Sequence, residues 1–490
     1  MIKIHDLTYW YRDASDAALR DVTLSVQPGE ALCVMGRNGS GKTTLFKLIA
    51  GLAAPSRGTV QVNGQGAESD NGRSQVAILF QNPENQMVAT VVEKELAFAL
   101  ENRAAPLSEM EPVIAQVAER FGIVHLLRRV TSELSGGEMQ RVALAAIMIC
   151  DPPILLLDEP DAFLDETGRA KLHAELTRLH EERPDLVELR ITQSHAVARS
   201  YKRLVVIDAG AVVYDGPPSV FLDQLTQPER MAPHDAPLPE IFTSTAHSED
   251  RLAEIELENV TFAYPGGEPI LRELTVSFKT GDRVAMVGPT GSGKSTLGLL
   301  LCGLIRPTGG SVSFCDKDGR VIAPSAARGQ VVAILQQPER QFFLETCAKE
   351  IAFGPSNLGK PLTPEQIDNL LDWAGLPAKR FANRDPFTLS AGEKRRLALA
   401  AVLAMGPSLV IFDEPTAGLD PDGTAWFFRL SGGLAQAGVG QMIITHDGDL
   451  VRQLSDRVLY VKPSGRLISL TTDQFCCDAK YAGIVSAPQS

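Results

Sequence analysis

The sequence has few aromatic residues, no long apolar run and no excess of positive charge. Aromatic residues make up 6% of the 490 positions, and the longest apolar runs, Val142–Cys150 and Leu397–Met405, have about half of the roughly 18 residues that a membrane span requires. Acidic residues outnumber Lys and Arg by 60 to 47, a net charge of −13. Because broad nucleic-acid binding depends on clustered basic residues, we expect no nucleic-acid partner. We also expect no membrane span, so a transport function would need a separate membrane protein.

The seven cysteines do not form a recognisable framework. None stands in a Cys-x-x-Cys pair or beside a His at metal-ligand spacing, and Cys33 and Cys302 lie within apolar runs. Such a set is typical of reduced, mostly buried thiols in a cytosolic protein. Residues 1–6 alternate like a β-strand and have no apolar signal core, so we expect no leader.

The strongest internal signal is a repeat of one large unit. Three motifs occur twice, in the same order and at a nearly constant offset: GRNGSGKTT at 36–44 and GPTGSGKST at 288–296, LSGGE at 134–138 and LSAGE at 389–393, and DEP at 158–160 and 413–415. Repeated motifs in a fixed order predict two copies of one domain. A solenoid is excluded because its period would be far shorter.

A proline-rich segment separates the two copies. Prolines stand at positions 217, 218, 228, 233, 237 and 239, with Ser, Thr, His and Asp between them. This composition is typical of a linker rather than of a packed element. We predict a first domain at 1–220, a linker at 221–252, a second domain at 253–470 and a C-terminal tail at 471–490.

Each half alternates strand-like with helix-like apolar segments. A short apolar run precedes each glycine-rich loop, at 31–35 and 283–287, and a helix-like run follows the loop. The runs 154–157 and 409–412 are apolar throughout, as strands buried on both faces of a parallel sheet are. We therefore predict an α/β fold with a mainly parallel sheet in each half.

Both halves contain the pattern G-x-x-x-x-G-K-[ST] between a strand and a helix. Its glycines let backbone N–H groups surround an anion at a helix N-terminus, and its Lys reaches the β- and γ-phosphates. The hydroxyls of Thr43 and Ser295 are candidate Mg²⁺ ligands. The predicted nucleotide-binding residues are Gly36, Asn38, Gly39, Ser40, Gly41, Lys42, Thr43 and Thr44, and Gly288, Thr290, Gly291, Ser292, Gly293, Lys294, Ser295 and Thr296.

Two adjacent acidic residues end a buried strand in each half. Asp158 and Asp413 stand where a carboxylate can bind the Mg²⁺ of a nucleotide, although the residues alone also allow an Asp that caps a helix. Glu159 and Glu414 follow directly and are predicted to act as general bases toward the attacking water.

A glutamine follows another strand-like run in each half. Gln81 and Gln336 each stand shortly before a proline. A neutral amide at this place can contact both Mg²⁺ and water, and the alternative is an ordinary polar strand end. We predict that both glutamines belong to the metal sites.

Together these motifs resemble the ATPase domain of ABC transporters, over nearly the whole chain. The resemblance implies two P-loop NTPase domains, each with a helical subdomain that carries the LSGGE or LSAGE signature. It also implies that ATP and Mg²⁺ bind in a head-to-tail sandwich of the halves, where each nucleotide meets the signature of the other half. The implied ligands are Ser135, Gly137, Ser390 and Gly392 for the γ-phosphate, and Tyr11 and Tyr264 for adenine. For the two tyrosines, ordinary packing is the alternative.

The resemblance further implies a histidine that contacts the γ-phosphate and helps to position water. In the second half His446 follows an apolar strand-like run. Alignment of Thr192 with Thr445 places Gln193 there in the first half, and His195 lies two residues further on. We take Gln193 as the first choice and His195 as the alternative, and predict unequal ATP sites, the one with Glu414 dominating hydrolysis.

A finer resemblance is to the ATPases of energy-coupling factor transporters. It rests on these segments: 80–86 with 95–98, 336–341 with 350–357, and the exit 216–221. It implies uptake of vitamins or of cobalt or nickel ions, with the ATPase on the cytoplasmic face of the membrane, a membrane coupling protein and a substrate-binding membrane protein. Glu84 and Glu339 are predicted to face grooves that receive arginines of the coupling protein, so that their joint replacement by Ala would abolish assembly.

Three other functions fit the tandem architecture less well. The tandem ATPase of simple-sugar importers usually has a degraded second phosphate loop, whereas 288–296 is intact. A ribosome-associated tandem ABC protein would have a charged helical linker and a basic surface. A nucleotide sensor without catalysis would not need both Glu159 and Glu414.

Overall fold

The structure is a computed structural model in which the chain divides into two compact units, Met1–Arg230 and Met231–Ser490. The described residues are 1–12, 16–81, 83–134, 136–161, 164, 166–223, 238–239, 242, 252–289, 291–323, 327–335, 341–417, 419–478, 481 and 485. None of the helices in this described part is long and apolar enough to span a bilayer.

The described strands of the first unit form two sheets. They are β1 (Ile2–Tyr9), β2 (Leu19–Val26), β3 (Ala31–Met35), β4 (Arg57–Val62), β5 (Gln65–Gly66), β6 (Val76–Leu79), β7 (Ile154–Asp158), β8 (Val187–Ile191), β9 (Arg203–Asp208) and β10 (Ala211–Gly216). One sheet is antiparallel in the order β2-β1-β4-β5. The other has the order β10-β9-β3-β8-β7-β6 and is parallel except for the β9–β10 pair.

The helices of the first unit divide between this sheet and a helical subdomain. They are α1 (Lys42–Ile49), α2 (Asp70–Arg73), α3 (Val92–Glu101), α4 (Leu107–Arg120), α5 (Gly136–Met148), α6 (Glu166–Glu182), α7 (His195–Arg199) and α8 (Pro218–Leu222). Helices α3, α4 and α5 are inserted between β6 and β7 and share an apolar core. The signature LSGGE stands at the start of α5, so the predicted helical signature subdomain is confirmed.

The second unit repeats this plan. Its strands are β11 (Leu252–Phe262), β12 (Leu271–Lys279), β13 (Arg283–Val287), β14 (Gly309–Asp316), β15 (Val331–Ile334), β16 (Leu409–Asp413), β17 (Gly440–Ile444), β18 (Arg457–Val461) and β19 (Leu467–Thr471). Its sheets have the orders β12-β11-β14 and β15-β16-β17-β13-β18-β19, the second being parallel except for β18–β19.

The helices of the second unit again include an inserted set. They are α9 (Lys294–Leu301), α10 (Cys347–Asn357), α11 (Pro364–Trp373), α12 (Ala378–Phe381), α13 (Ala391–Leu403), α14 (Pro421–Gln436), α15 (Gly448–Leu454) and α16 (Thr472–Cys477). Helices α10 to α13 lie between β15 and β16, and the LSAGE signature stands at the start of α13. The predicted α/β class with a mainly parallel sheet in each half is therefore confirmed.

Burial of the central strands explains their composition. All five residues of β7 are buried, so the strand is an uninterrupted apolar run up to Asp158. Strand β8 is equally buried, yet it carries Glu188 and Arg190, which are 1% and 3% exposed. Charged side chains at such buried positions need partners within the protein. The partner of Arg190 is Asp161, and the partner of Glu188 is His180.

Part of the predicted linker is packed rather than loose. Phe242 is 1% exposed and its ring meets that of Trp373 edge to face, with centroids 5.0 Å apart. Trp373 ends α11, so this linker residue belongs to the core of the second unit. The composition of the segment hid this contact because its scattered apolar residues, set among prolines and polar residues, give no periodic signal. The outer bounds of linker and tail stay a prediction.

Phe242→Ala is expected to lower the free energy of unfolding of the second unit by about 3–5 kcal/mol, since it removes a fully buried ring. Phe387→Ala is the matched control because Phe387 is 54% exposed. Tryptophan fluorescence in a denaturant titration measures both variants, since Trp373 and Trp426 report on this core. Equal stability of Phe242→Ala and the unsubstituted protein would show that the packing contributes nothing.

Candidate functional site

The sheet order brings the predicted site residues to one edge of each unit. Strands β3, β8, β7 and β6 are consecutive neighbours and run parallel. Their carboxyl ends therefore lie side by side, and these lead into the phosphate loop, Gln193, Asp158 with Glu159, and Gln81. Strands β13, β17, β16 and β15 give the same order in the second unit. The carboxyl edge of a parallel sheet is the usual place for a ligand in α/β proteins.

Glycine is required where each phosphate loop passes close to neighbouring backbone. Gly36 has φ 149°, and a Cβ there would lie 2.1 Å from the carbonyl oxygen of Ile207. Gly288 has φ 151°, and its Cβ would lie 2.3 Å from the carbonyl oxygen of Val461. The positive φ and the close approach of backbone therefore require glycine at both positions.

Gly288→Ala is expected to weaken ATP binding at the second loop by about tenfold or more, because the added methyl group cannot be accommodated without moving the loop. Gly432→Ala is the control in the same unit, since nothing lies within 4 Å of its Cβ position. Titration with a fluorescent ATP analogue, with the first loop inactivated by Lys42→Ala, measures the effect. Unchanged affinity in Gly288→Ala would contradict the assignment of this loop.

The lysine of each loop lies among the loop carbonyls. The Lys42 Nζ donates hydrogen bonds of 2.8 Å to the carbonyl oxygens of Gly36 and Arg37, and the Lys294 Nζ donates bonds of 2.7 and 2.9 Å to Gly288 and Pro289. The buried hydroxyls of Ser40 and Ser292 have no hydrogen-bond partner among the described residues. A phosphate oxygen would satisfy such a buried hydroxyl, so both loops fit the phosphates of ATP.

The candidate Mg²⁺ ligands are also brought together in both units. The Thr43 hydroxyl donates a 2.8 Å hydrogen bond to Asp158, and the Ser295 hydroxyl donates a 2.8 Å bond to Asp413. Burial raises the pKa of both carboxyl groups, and the hydroxyl and the nearby lysine partly offset this effect. Among the described residues no group of three or more His, Cys, Asp or Glu could hold a metal ion by itself. The paired hydroxyl and carboxylate of each unit fit Mg²⁺, which proteins usually bind through one or two carboxylates, water and substrate phosphates.

Glu159 is strained and buried, and two amides hold it. It has φ 47° and is 7% exposed. Gln81 donates a 2.8 Å hydrogen bond to one carboxylate oxygen, and Gln193 donates a 3.2 Å bond to the other. Burial and the adjacent Asp158 raise the pKa of Glu159 to about 7, against the opposing effect of Lys42 and of the Gln193 bond. A carboxyl group poised near neutrality is suited to general-base chemistry.

The second unit has a histidine where the first has Gln193. Glu414 has φ 49°, and one of its oxygens lies 3.6 Å from the Nε2 of His446. In the first unit Gln193 also donates a 3.2 Å bond to the carbonyl oxygen of Gly36, whereas His195 begins helix α7. The structure therefore places Gln193 between the candidate base and the phosphate loop. Its part in hydrolysis stays a prediction.

The two predicted adenine contacts are built alike. The hydroxyls of Tyr11 and Tyr264 lie 2.9 and 3.4 Å from those of Thr44 and Thr296, in the first turn after each loop. The rings are 44% and 45% exposed. A ring tethered at its hydroxyl and open to solvent can stack on a purine, which fits the predicted role.

The signature residues are only partly described. Gly137 lies in the first turn of α5, and Ser390 caps α13, its hydroxyl accepting a 3.3 Å bond from the backbone of Glu393. Gly392 has nothing within 4 Å of its Cβ position. The following predicted residues lie outside the described part of the chain: Ser135, Thr290, Gln336, Glu339 and the side chain of Glu84.

Charged side chains that contact the loop after each candidate base were missed in the sequence analysis. The Arg190 guanidinium pairs with Asp161 at 3.2 Å, and Glu188 contacts the His180 Nε2 at 2.8 Å. In the second unit the Arg395 guanidinium donates a 2.6 Å hydrogen bond to the carbonyl oxygen of Ala417. The available signal was Glu188-Leu189-Arg190, since charged residues within a central strand require an explanation.

The second unit also has an apolar groove on its helical subdomain. Its volume is about 320 Å³, and Phe343, Phe353, Ala398, Ala401 and Met405 are among its lining residues. The rings of Phe343 and Phe353 meet edge to face with centroids 4.7 Å apart and are 60% and 43% exposed. Exposed aromatic side chains around an apolar groove are typical of a protein interface.

Comparisons with known proteins agree with this geometry. The sequence model of the family described as ABC transporter matches residues 19–162 and 271–417. A Bifidobacterium longum protein described as an ABC transporter ATP-binding protein is 32% identical over 93% of this chain, which spans 64% of that relative's length. A Bacillus thuringiensis protein of the same description is 31% identical over 93% of this chain and 89% of its own length.

Two similar solved structures each cover less than half of this chain. The structure of cbiO1 from Clostridium perfringens, part of the ABC transporter complex cbiONQ, is 30% identical and covers 46% of this chain and 92% of its own, with a TM-score of 0.42. A dimeric ATP-binding cassette bound to ADP and Pi, in a post-hydrolysis state, is 26% identical and covers 44% of this chain and 99% of its own, with a TM-score of 0.41.

Proposed function

This chain belongs to the ABC transporter family as an ATPase with two tandem ATP-binding domains, and we propose that it energises a membrane importer of the energy-coupling factor type. The observation that carries the proposal is that the chain combines two complete phosphate loops with an apolar groove on a helical subdomain. The first feature supplies ATP hydrolysis, and the second offers a docking place for a membrane protein. The proposed solutes are vitamins or cobalt or nickel ions, which another chain would select.

In the proposed reaction each unit binds one ATP at its loop. Lys42 and Lys294 bind the phosphates, while Thr43 with Asp158 and Ser295 with Asp413 hold Mg²⁺. The Mg²⁺ would neutralise charge on the β- and γ-phosphates. Glu159 and Glu414 accept the proton of the attacking water. Gln81 orients the first of these carboxylates through its 2.8 Å hydrogen bond.

We propose that the two ATP sites are composite and unequal. Each would take its phosphate loop from one half and its signature from the other, so that Ser135, Gly137, Ser390 and Gly392 contact the γ-phosphate across the pairing. The site built on Lys42 has Gln193 and the altered signature with Ala391, whereas the site built on Lys294 has His446 and LSGGE. A neutral amide donates a hydrogen bond but cannot carry the charge of an imidazolium.

The apolar groove is the proposed contact with the membrane coupling protein, which keeps the ATPase at the cytoplasmic face of the membrane. In the sequence Glu339 stands two residues before the groove residue Gln341, and Glu84 is the corresponding residue of the first half. A charge pair between these residues and arginines of the partner would add orientation to apolar contact.

Ala401→Arg is expected to abolish assembly with the membrane partner, because it places an unpaired charge inside an apolar groove. Val321→Asp is the matched control, since Val321 is 70% exposed and is not among the groove residues. Purification of the tagged chain from detergent-solubilised membranes, followed by mass spectrometry, shows which membrane proteins accompany each variant. Recovery of the same membrane proteins with Ala401→Arg would contradict docking in this groove.

The same purification separates the proposal from the alternatives. A ribosome-associated ATPase would bring ribosomal proteins, and a sugar-importer ATPase would bring a permease without a vitamin- or metal-binding membrane protein. Both phosphate loops have the same lysine, hydroxyl and aspartate contacts, which opposes a degraded second site.

A further inference from the structure

The loop that follows the candidate base is fastened differently in the two halves. In the first half the Arg190 guanidinium, on strand β8, pairs with Asp161 two residues after Glu159. Arg190 is 3% exposed, so this ion pair is anchored to the centre of the parallel sheet. The pair therefore ties the start of the loop to a buried central strand of the sheet.

A network of buried polar groups holds Arg190 itself. Glu188 lies two residues earlier on the same strand and is 1% exposed. It contacts the His180 Nε2 at 2.8 Å and accepts a hydrogen bond from the Tyr201 hydroxyl. Arg190 therefore pairs directly with Asp161, and the negative charge of Glu188 adds a favourable electrostatic interaction.

The second half has none of these charges at the corresponding positions. Alignment of the repeats puts Gln441, Ile443 and Thr416 where the first half has Glu188, Arg190 and Asp161. Gln441 is paired instead with Ser431, whose hydroxyl donates a 2.6 Å hydrogen bond to it. Strand β17 therefore carries no arginine at the two positions that correspond to Glu188 and Arg190.

A different arginine reaches that loop. Arg395 lies on α13, the helix that begins with the LSAGE signature, and donates a 2.6 Å hydrogen bond to the carbonyl oxygen of Ala417, three residues after Glu414. The same helix lines the apolar groove through Ala398, Ala401 and Val402. The residue that corresponds to Arg395 in the first half is Gln140, which is shorter and uncharged.

We propose that Arg190 and Arg395 are the positioning residues of the two candidate bases, and that they hold the following loops from opposite sides, Arg190 from the sheet and Arg395 from the signature helix. The proposal rests on the proposed roles of Glu159 and Glu414. Its consequence is that hydrolysis at Glu414 responds to displacement of the groove-lining helix through the hydrogen bond from Arg395 to Ala417.

The test for the first half replaces its three charged residues by the residues that the second half has at the corresponding positions. Glu188→Gln, Arg190→Ile and Asp161→Thr are introduced together into the full chain carrying Glu414→Gln, so that the remaining hydrolysis comes from the Glu159 site. The fold should tolerate them, because the second half has these residues at the same places. We expect kcat to fall by about tenfold or more with an unchanged KM for ATP, since a small misplacement of a catalytic group is costly.

The matched control removes an exposed ion pair of the same chemistry. Arg199 and Asp223 are 2.7 Å apart at the surface of the first unit, and Arg199→Ile with Asp223→Thr should leave kcat unchanged. The thermal midpoint is measured for every variant. Unchanged kcat in the variant with the three substitutions would overturn the proposal. A fall in kcat that comes with a similar fold-change in KM, or with a lowered thermal midpoint, would overturn it too.

The test for the second half uses the full chain carrying Glu159→Gln. Arg395→Met keeps the length of the side chain but cannot donate a hydrogen bond, and it should lower kcat about tenfold, whereas Arg395→Lys keeps a donor and should retain most of the activity. Equal activity of the two variants would overturn the role of Arg395. The parent variants are measured first: if Glu159→Gln and Glu414→Gln both leave hydrolysis intact, the proposed roles of the bases fail instead.

Discussion

Glu414→Gln should lower steady-state ATP hydrolysis by about 10²–10⁴-fold, whereas Glu159→Gln should leave a readily measurable fraction of it. The carboxylate of Glu414 lies 3.6 Å from the imidazole of His446, which can carry a positive charge toward the γ-phosphate. Glu159 instead accepts a 3.2 Å hydrogen bond from Gln193, which is always neutral. The site with Glu414 therefore has the stronger set of groups for hydrolysis.

Replacement of His446 by Gln is the control for the unequal hydrolysis rates of the two sites. His446→Gln should bring the Glu414 site down to the level of the Glu159 site, because it installs the residue that the first half has at this place. Phosphate release is followed for both glutamate variants with and without His446→Gln. Equal losses from Glu159→Gln and Glu414→Gln in steady state would count against unequal sites, unless the two sites are tightly coupled.

The separated halves should hydrolyse ATP far more slowly than the intact chain at low concentration. In the proposed sandwich each half lacks the signature that completes its own site, so activity requires the two to meet. The linker mainly raises their effective concentration, and mixing the halves at high concentration should restore turnover. The measured quantity is the hydrolysis rate as a function of protein concentration.

For this experiment the chain is divided at the boundary between its two compact units, and not at the end of the proline-rich segment. Division after Arg230 keeps Phe242 with the second unit, in which its ring is buried against Trp373. A cut at residue 252 would remove that ring and confound loss of pairing with loss of stability. Full activity of either half alone, independent of its concentration, would rule out composite sites.

The sequence predicted best what depends on contiguous motifs. The loops at 36–44 and 288–296 contain all the residues needed to surround a phosphate, so their chemistry was readable without tertiary structure. Strand-end acids such as Asp158 and Glu159 were also readable, because a buried parallel strand is an apolar run with a polar end. The family comparisons confirm the tandem ABC architecture that these motifs predicted.

Features that depend on contacts between distant segments escaped the sequence reading. The pairing of Arg190 with Asp161 joins a central strand to the loop after the neighbouring strand, and the bond from Arg395 to Ala417 joins a helix to a loop in another subdomain. Phe242 was missed for a related reason, because its partner Trp373 lies in a helix far along the chain. Composition gives a residue's preference for burial but not the partner that buries it.

The choice between Gln193 and His195 needed both the alignment of the repeats and the structure. Alignment of the repeats favoured Gln193 but left His195 as an alternative two residues away. The hydrogen bonds from Gln193 to Glu159 and to the carbonyl oxygen of Gly36 place it within the candidate site. The geometry therefore favours Gln193 over His195.

Single-turnover hydrolysis of ATP by Glu159→Gln and by Glu414→Gln, each at enzyme excess, tests the unequal-site account most directly. Under these conditions each variant reports its one intact site without the cycling that couples the two. We predict that Glu159→Gln, which retains Glu414 and His446, releases phosphate at nearly the rate of the unsubstituted chain, whereas Glu414→Gln releases it at least about tenfold more slowly. Equal single-turnover rates for the two variants would contradict the account.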